Sequence, residues 1–219
     1  QIITNKKERQ YMVKLFFFLI FCNMNSDITI ALFGDKFDKH NFDWHQKDGE
    51  YVTHDMGATI ELYDNGDTLY YKRVKPDSSA MEYRMAFYKD CLTVAATAVK
   101  FYDVYIWGKR EYDRQGNLIS VENADAPYNY SVDDVVQWVK DKYNVDLTKK
   151  PRWAMMNRSP NPIPHYMLRF IDNDGQRIVY SIDARDGSLI YENIAGVKKK
   201  YKDDRDWWHN PDGTKIKRR

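Results

Sequence analysis

Cysteine is scarce in this chain: two residues in 219, Cys22 and Cys91, neither placed at a spacing that would hold a metal. With so few, a disulfide framework is excluded, and Cys91 is expected to be a small buried apolar residue. A Gly-x-Ser-x-Gly elbow is missing, and Cys91 lies in "YKDCLTV", where no neighbouring feature lowers a thiol pKa, so nucleophilic catalysis leaves no local signature. No apolar run is long enough to span a bilayer as a helix. An excess of one charge is also lacking, the formal net charge being +2. That small sum hides an asymmetry: residues 1–22 carry +3 and residues 196–219 carry +5, which leaves the body at −6. An acidic body between basic ends presents no continuous basic face, so nucleic acid is not an expected partner.

What is abundant is aromatic. Seventeen tyrosines and six tryptophans suit half-buried strand positions, and equally suit recognition surfaces where a ring supplies area and its polar edge a hydrogen bond. Length and a 43% apolar content allow one sizeable domain or two small ones.

The first residues read as an address. From Met12, one positive residue, Lys14, precedes the apolar core Leu15 to Phe21, a signal-peptide arrangement, with "QIITNKKERQY" upstream of it. Cleavage is expected after Ala31 or near Gly34, although neither shows a small-x-small pattern. Cys22 offers lipidation as a second route, against which stands Phe21, where a lipoprotein signal has a small residue. The expectation is export to the periplasm or cell envelope, with membrane attachment only if Cys22 is lipidated.

Beyond residue 34 the patterning predicts an α+β protein, mostly antiparallel sheet with one main amphipathic helix at 131–143. Residues 35–125 form a β-rich hairpin region, 126–195 a helix-strand-strand unit, and 196–219 a solvated basic tail in which Trp207 and Trp208 pack on the body. "IELYDNGDTLYY" alternates on both sides of Asn65-Gly66, which predicts a hairpin with a type I′ turn. "MEYRMAFYK" and the Ala-rich "CLTVAATAVKFYDVYIWG" are read mainly as strands, and "REYDRQGNLISVEN" as strand-turn-strand around Gln115-Gly116. In "YSVDDVVQWVKDKYNVDL", Ser131 is the N-cap, Asp133 and Asp134 suit the positive helix end, and Val132, Val135, Val136, Val139 and Tyr143 form the buried stripe. A bend at "SPNPIP" then leads into the strands "HYMLRFID" and "RIVYSIDA".

Two resemblances follow from those stretches. "YMLRF" and "YSIDARDGSLIYE", with Asp183, Ala184 and Gly187 in place after the helix, resemble the PepSY domain of exported bacterial proteins; the chain departs from it in the insert "MMNRSPNPIP" and in having one copy. That family is associated with export, peptidase inhibition and binding at the cell envelope, and it implies no catalytic residues. Tyr112, Asp113, Gly116 and Leu118, and with shifted spacing Tyr63, Asp64, Gly66 and Leu69, resemble MORN-type repeats of antitoxin-like proteins. This second resemblance implies hairpins stacked into an open sheet whose outer face is available to a partner.

Candidate chemistry is thin. Asp38, His40, Asp43, His45, His54 and Asp55 form a His/Asp-rich segment suited in residue type, but not in spacing, to zinc or a similar ion. "DNDGQ" starts like a calcium loop but lacks the twelfth-position Glu, and is better read as a turn. The expectation is therefore a non-enzymatic, cofactor-free, exported protein-binding module, in its sharper form an immunity or inhibitor protein against a toxin or hydrolase. Exposed aromatics at Tyr70, Tyr71 and Trp107 are its expected binding residues. The alternatives are a metal-dependent envelope hydrolase using segment 38–55 and a structural envelope lipoprotein.

Overall fold

A computed structural model describes residues 28–55, 57–161 and 163–202. The expected signal peptide, lipidation at Cys22, and the positions of Trp207 and Trp208 fall outside these residues.

Alternation of apolar and polar side chains drives each strand to bury one face, and short turns force sequential neighbours to pair. The outcome is a seven-stranded antiparallel meander in chain order: β1 (Glu50–Asp55), β2 (Ala58–Asp64), β3 (Leu69–Pro76), β4 (Met81–Tyr88), β5 (Val94–Phe101), β6 (Val104–Tyr112) and β7 (Leu118–Glu122). Register fixes its inner face, with Tyr70 opposite Phe87, Val74 opposite Tyr83, Tyr83 opposite Val99 and Phe101 opposite Val104. Two short helices, α1 (Ile28–Phe33) and α2 (Lys39–His45), are laid against that face. Phe33 tilts against Tyr83 with ring centroids 5.0 Å apart, and Phe37 stacks on Tyr70 at 4.5 Å.

The rest of the described chain builds a second sheet. Helix α3 (Val132–Tyr143) starts with the reciprocal cap expected at Ser131: its hydroxyl accepts from the Asp134 N–H, and the Asp134 carboxylate accepts from the Ser131 N–H. Asn144, at φ 52°, ends it in the left-handed conformation. A 3-10 turn (Leu147–Lys149) leads into β8 (Met155–Ser159), β9 (His165–Ile171), β10 (Arg177–Asp183), β11 (Leu189–Ile194) and β12 (Val197–Lys200), ordered β12-β11-β10-β9-β8. Val132, Val135 and Val139 cover Tyr166, Leu168, Phe170, Ile178, Tyr180 and Ile182 in a core that also takes in Val99, Phe101, Val104 and Ile106 of the first sheet. Backbone bonds cross the junction: Ala80 N–H to the Thr148 carbonyl at 2.9 Å and Asp103 N–H to the Met156 carbonyl at 3.1 Å.

The described residues are thus predominantly antiparallel β, with less helix than the expected α+β label implies. Several local expectations are corrected. Val197–Lys200 is a paired strand rather than solvated tail, because its backbone completes β11 even though its side chains stay exposed. Met155–Ser159, inside the stretch taken for an insert, pairs with β9. Cys91 is exposed in the β4–β5 turn, its Sγ 3.0 Å from the Thr93 hydroxyl, since that turn lies at the rim of the sheet.

The abundant glycine turns share a mechanism that the dipeptide reading missed. A type I′ turn needs positive φ at both central residues, yet at Asn65-Gly66 only the glycine has it. An aspartate upstream holds the turn instead. Asp113 Oδ1 accepts the N–H groups of Gln115 and Asn117 at 2.9 and 2.8 Å, while its carbonyl accepts Gly116 N–H. Asp172 repeats this with Asp174, Gln176 and Gly175, confirming "DNDGQ" as a turn. The side chain satisfies peptide groups that a tight loop would otherwise orphan.

Candidate functional site

A strand pleat sends alternate residues to opposite faces, so the register of the first sheet also dictates its outer face. One row across that face reads Tyr63, Tyr71, Ala86, Ala96, Glu111, Ser120, and the next reads Glu61, Arg73, Arg84, Ala98, Lys109, Glu122. A third contains Glu82, Lys100 and Tyr105. In the middle of these rows three alanines on adjacent strands replace the larger side chains on either side. Their small volume leaves a hollow of about 680 Å³, with Ala86, Ala96 and Ala98 as floor and Tyr63, Tyr71, Arg84, Tyr105, Lys109 and Glu122 among its lining.

The outer face beside the hollow is held in place by its own charges. Arg73 reaches Glu61 at 2.8 Å and Glu82 at 3.5 Å, and Lys75 donates to Glu61 at 2.6 Å. Burial alone would raise the Glu61 carboxyl, but the hydrogen bonds and charge of Lys75 and Arg73 outweigh it and hold the pKa below the usual carboxylate value. Arg84 pairs with Glu82 and donates to the Tyr105 hydroxyl at 3.1 Å. Lys100 sits 4.7 Å from the centroid of the same ring, and Tyr63 and Tyr71 stack at 5.0 Å. These contacts fix rotamers before any ligand arrives, which lowers the ordering cost of binding.

One wall comes from the second sheet. The Arg158 side chain, 8% exposed, fans its guanidinium onto three acceptors: Asp125 Oδ1 at 2.6 Å, the Tyr105 carbonyl at 2.5 Å and the Ala124 carbonyl at 2.7 Å. It also lies over the Tyr128 ring at 4.2 Å. Next to it β6 carries a two-residue bulge, since Ala98 faces Lys109 and Val99 faces Ile106. The bulge residues Trp107 and Gly108 have φ 60° and 73°, and a Cβ on Gly108 would stand 1.7 Å from the Glu122 carbonyl oxygen. Glycine is required there because the neighbouring backbone occupies the space.

The three expected binding residues do not share a surface. Tyr70 is 7% exposed and belongs to the inner-face core with Phe37, Phe42 and Phe87, so its expected exposure is corrected. The cause is parity: Tyr70 and Tyr71 are consecutive, and the pleat sends one in and the other out. Tyr71 does line the hollow. Trp107, 37% exposed, stands at the bulge with its backbone N–H donated to Asp125 Oδ2 at 3.3 Å. Arg84, Tyr105 and Arg158 escaped the sequence reading, and Tyr63 entered it only as a repeat position. The signal that could have found the floor was the alanine-rich run Ala95, Ala96 and Ala98, whose last two members share one face of a strand that places Val94, Thr97 and Val99 on the other.

The His/Asp-rich segment is dispersed. Asp38 caps α2 through the Asn41 N–H, Asp43 pairs with Lys39, His45 stacks on Tyr51, and His54 reaches Asp77 at 3.2 Å. His40 and Asp55 are exposed. Among the described residues no group of three or more His, Cys, Asp or Glu side chains is arranged to hold a metal ion, so the hydrolase alternative finds no ligand set in segment 38–55. No described helix is long and apolar enough to cross a membrane.

No protein-family model matches the chain, and neither a curated protein nor a solved structure is significantly similar to it.

Proposed function

We propose that the chain is a non-enzymatic binding module that takes a protruding segment of a protein partner into the alanine-floored hollow. The observation that carries this reading is the break in side-chain size on one sheet face. A half-solvated sheet gains stability by pairing large side chains across strands, and three adjacent alanines forgo that gain while leaving a concavity of ligand-binding size. Tyrosine and arginine around it are the side chains that dominate binding hot spots.

In its sharper form the protein is exported and acts as an immunity or inhibitor protein, covering the active site of a toxin or hydrolase in the cell envelope. Support for this form comes from the PepSY and MORN-type resemblances, which is reasoning by analogy. The acidic body would speed association with a basic enzyme, while the mixed charge of the rim would select the segment that enters.

The test is a capture experiment with tagged full chain on envelope and secreted fractions, read by mass spectrometry. Wild type is expected to recover one stoichiometric, salt-sensitive partner. Ala98→Phe, which fills the floor from the solvent side, is expected to weaken that interaction about tenfold or more at unchanged thermal stability. Equal recovery by both proteins would reject the hollow as the site.

A further inference from the structure

Opposite charges on neighbouring strands stabilise a sheet face, and like charges destabilise it. The outer face of the first sheet is built accordingly: Arg73, Lys75, Arg84 and Lys109 each pair with a glutamate. The second sheet departs from this. Leu168, Phe170, Ile178 and Tyr180 point into the core, so the pleat turns Arg169, Arg177 and Val179 outward. Register adds Asn193 and Lys198 to the row of Arg169 and Val179. Asp183, the carboxylate on that face, is taken by Arg185 and Lys202. Among the described residues, Arg169, Arg177 and Lys198 have no carboxylate partner.

The two arginines share one ring. Arg169 opposes Val179, which sets Arg177 at the diagonal position, within reach for long side chains on adjacent strands. Their guanidinium carbons lie 5.1 and 5.5 Å from the ring centroid of Trp153, which is 39% exposed. The loop that carries Trp153 is tied to β9, the Ile171 N–H donating to the Arg152 carbonyl at 3.3 Å. Trp153 and Arg177 line a cavity of about 690 Å³ together with Val179, Gln176 and Asn193. Asp174 also lines it and pairs with neither arginine. Arg169 Nε is buried without an acceptor, an arrangement that costs free energy until the charge is matched.

The indole stabilises each guanidinium through its π-face, yet two positive charges remain beside one ring with no counter-charge. A phosphate monoester matches them, since it carries about −1.5 to −2 near pH 7 on a single centre. A lone carboxylate supplies less. Planar guanidinium forks also bind phosphoryl oxygens through paired hydrogen bonds. We propose that this cavity is a site for a small ligand bearing a phosphate monoester, held by Arg169 and Arg177. Lys198 adds attraction on an otherwise acidic body, Val179 and Trp153 cover the apolar part of the ligand, and the Gln176 and Asn193 amides take its polar groups. The site lies on the other sheet from the hollow and does not rest on the proposed function.

The test is a calorimetric titration of the full chain at low salt with glycerol 3-phosphate, a soluble monoester. Binding with a Kd below about 1 mM is expected. Arg169→Gln and Arg177→Gln are each expected to weaken it roughly tenfold or more at unchanged thermal stability. Lys140→Gln, on the exposed side of α3, should stay within about twofold of wild type. Dimethyl phosphate, a diester with one charge, is expected to bind about tenfold more weakly than the monoester, and glycerol not at all. Vesicles of phosphatidic acid in phosphatidylcholine separate a lipid headgroup from a free ligand. Retention on the vesicles with no affinity for the soluble ester overturns the small-ligand site. Equal binding of monoester and diester overturns it too, as does indifference to both arginine variants or no binding of the monoester. Ala98→Phe is expected to keep this binding and the arginine variants to keep partner capture, so the two readings fail separately.

Discussion

Asp183 shows how much one carboxylate can organise. It is fully buried, and it accepts from Arg185 Nε and Nη2 at 2.9 and 2.7 Å, from the Arg185 N–H at 3.0 Å and from Lys202 Nζ at 2.6 Å. Burial alone would raise its pKa, but the hydrogen bonds from Arg185 and Lys202 outweigh it and hold the carboxyl down to about 2. A folded-state pKa below the unfolded one contributes stability that is present above about pH 3.9 and is lost as pH falls through about 2. Asp183→Asn is therefore expected to cost about 3 kcal/mol at pH 7, since it leaves two cations facing a neutral group. Urea unfolding at a series of pH values should also show a smaller loss of stability between pH 4 and pH 2 in the variant. The aspartate itself was legible as a motif position, but Lys202, nineteen residues away, was not, because nothing local in a lysine run marks the one that folds back.

Arg158 belongs to the same scale. Its three acceptors lie in different directions, two of them backbone carbonyls, and a planar fork with five donors reaches them where a point charge on a flexible stem does not. Arg158→Lys is expected to fail to rescue the roughly 3 kcal/mol lost in Arg158→Met, measured by thermal or urea unfolding. The residue was hidden in sequence because its partners, Tyr105, Ala124 and Asp125, are contributed by the other half of the chain.

For the elements, pattern reading went furthest where periodicity is local. The helix with its Ser131 cap and the strands on both sides of Gly116 and Gly175 form where alternation and turn chemistry placed them. It failed where pairing alone decides: β8 and β12 have little of their own to hold them and become strands because an existing edge offers hydrogen bonds. Glycines separate the same way. Gly108→Ala is expected to cost about 3 kcal/mol or more, because its Cβ would meet Glu122 backbone that cannot give. Gly116→Ala, with open space around it and φ 87°, should cost only about 1 kcal/mol of left-handed strain. Unfolding of the two variants side by side checks the contrast. At the other end, the expected cleavage sites fall within or just after α1, whose Thr29 is 1% exposed and whose Phe33 carbonyl accepts from Lys72 Nζ at 2.9 Å. A chain starting at Asp35 is expected to be less stable than one starting at Ile28 by roughly 2–4 kcal/mol, read by thermal unfolding of the two truncations.

For the whole molecule, two sheets share a buried core, and the outer face of the larger sheet carries the concavity. Composition announced the tyrosines without saying which side of the sheet each would take, and consecutive tyrosines at 70 and 71 made that a question of parity. The hollow lies still further from sequence, since its floor joins alanines of two strands and its wall an arginine from the second sheet. The most direct measurement is hydrogen exchange on the chain with and without its captured partner. Protection concentrated in peptides covering 61–73, 82–86 and 96–109 is the predicted result. Protection confined to the second sheet, with those peptides unchanged, would contradict the assignment of the hollow as the binding site.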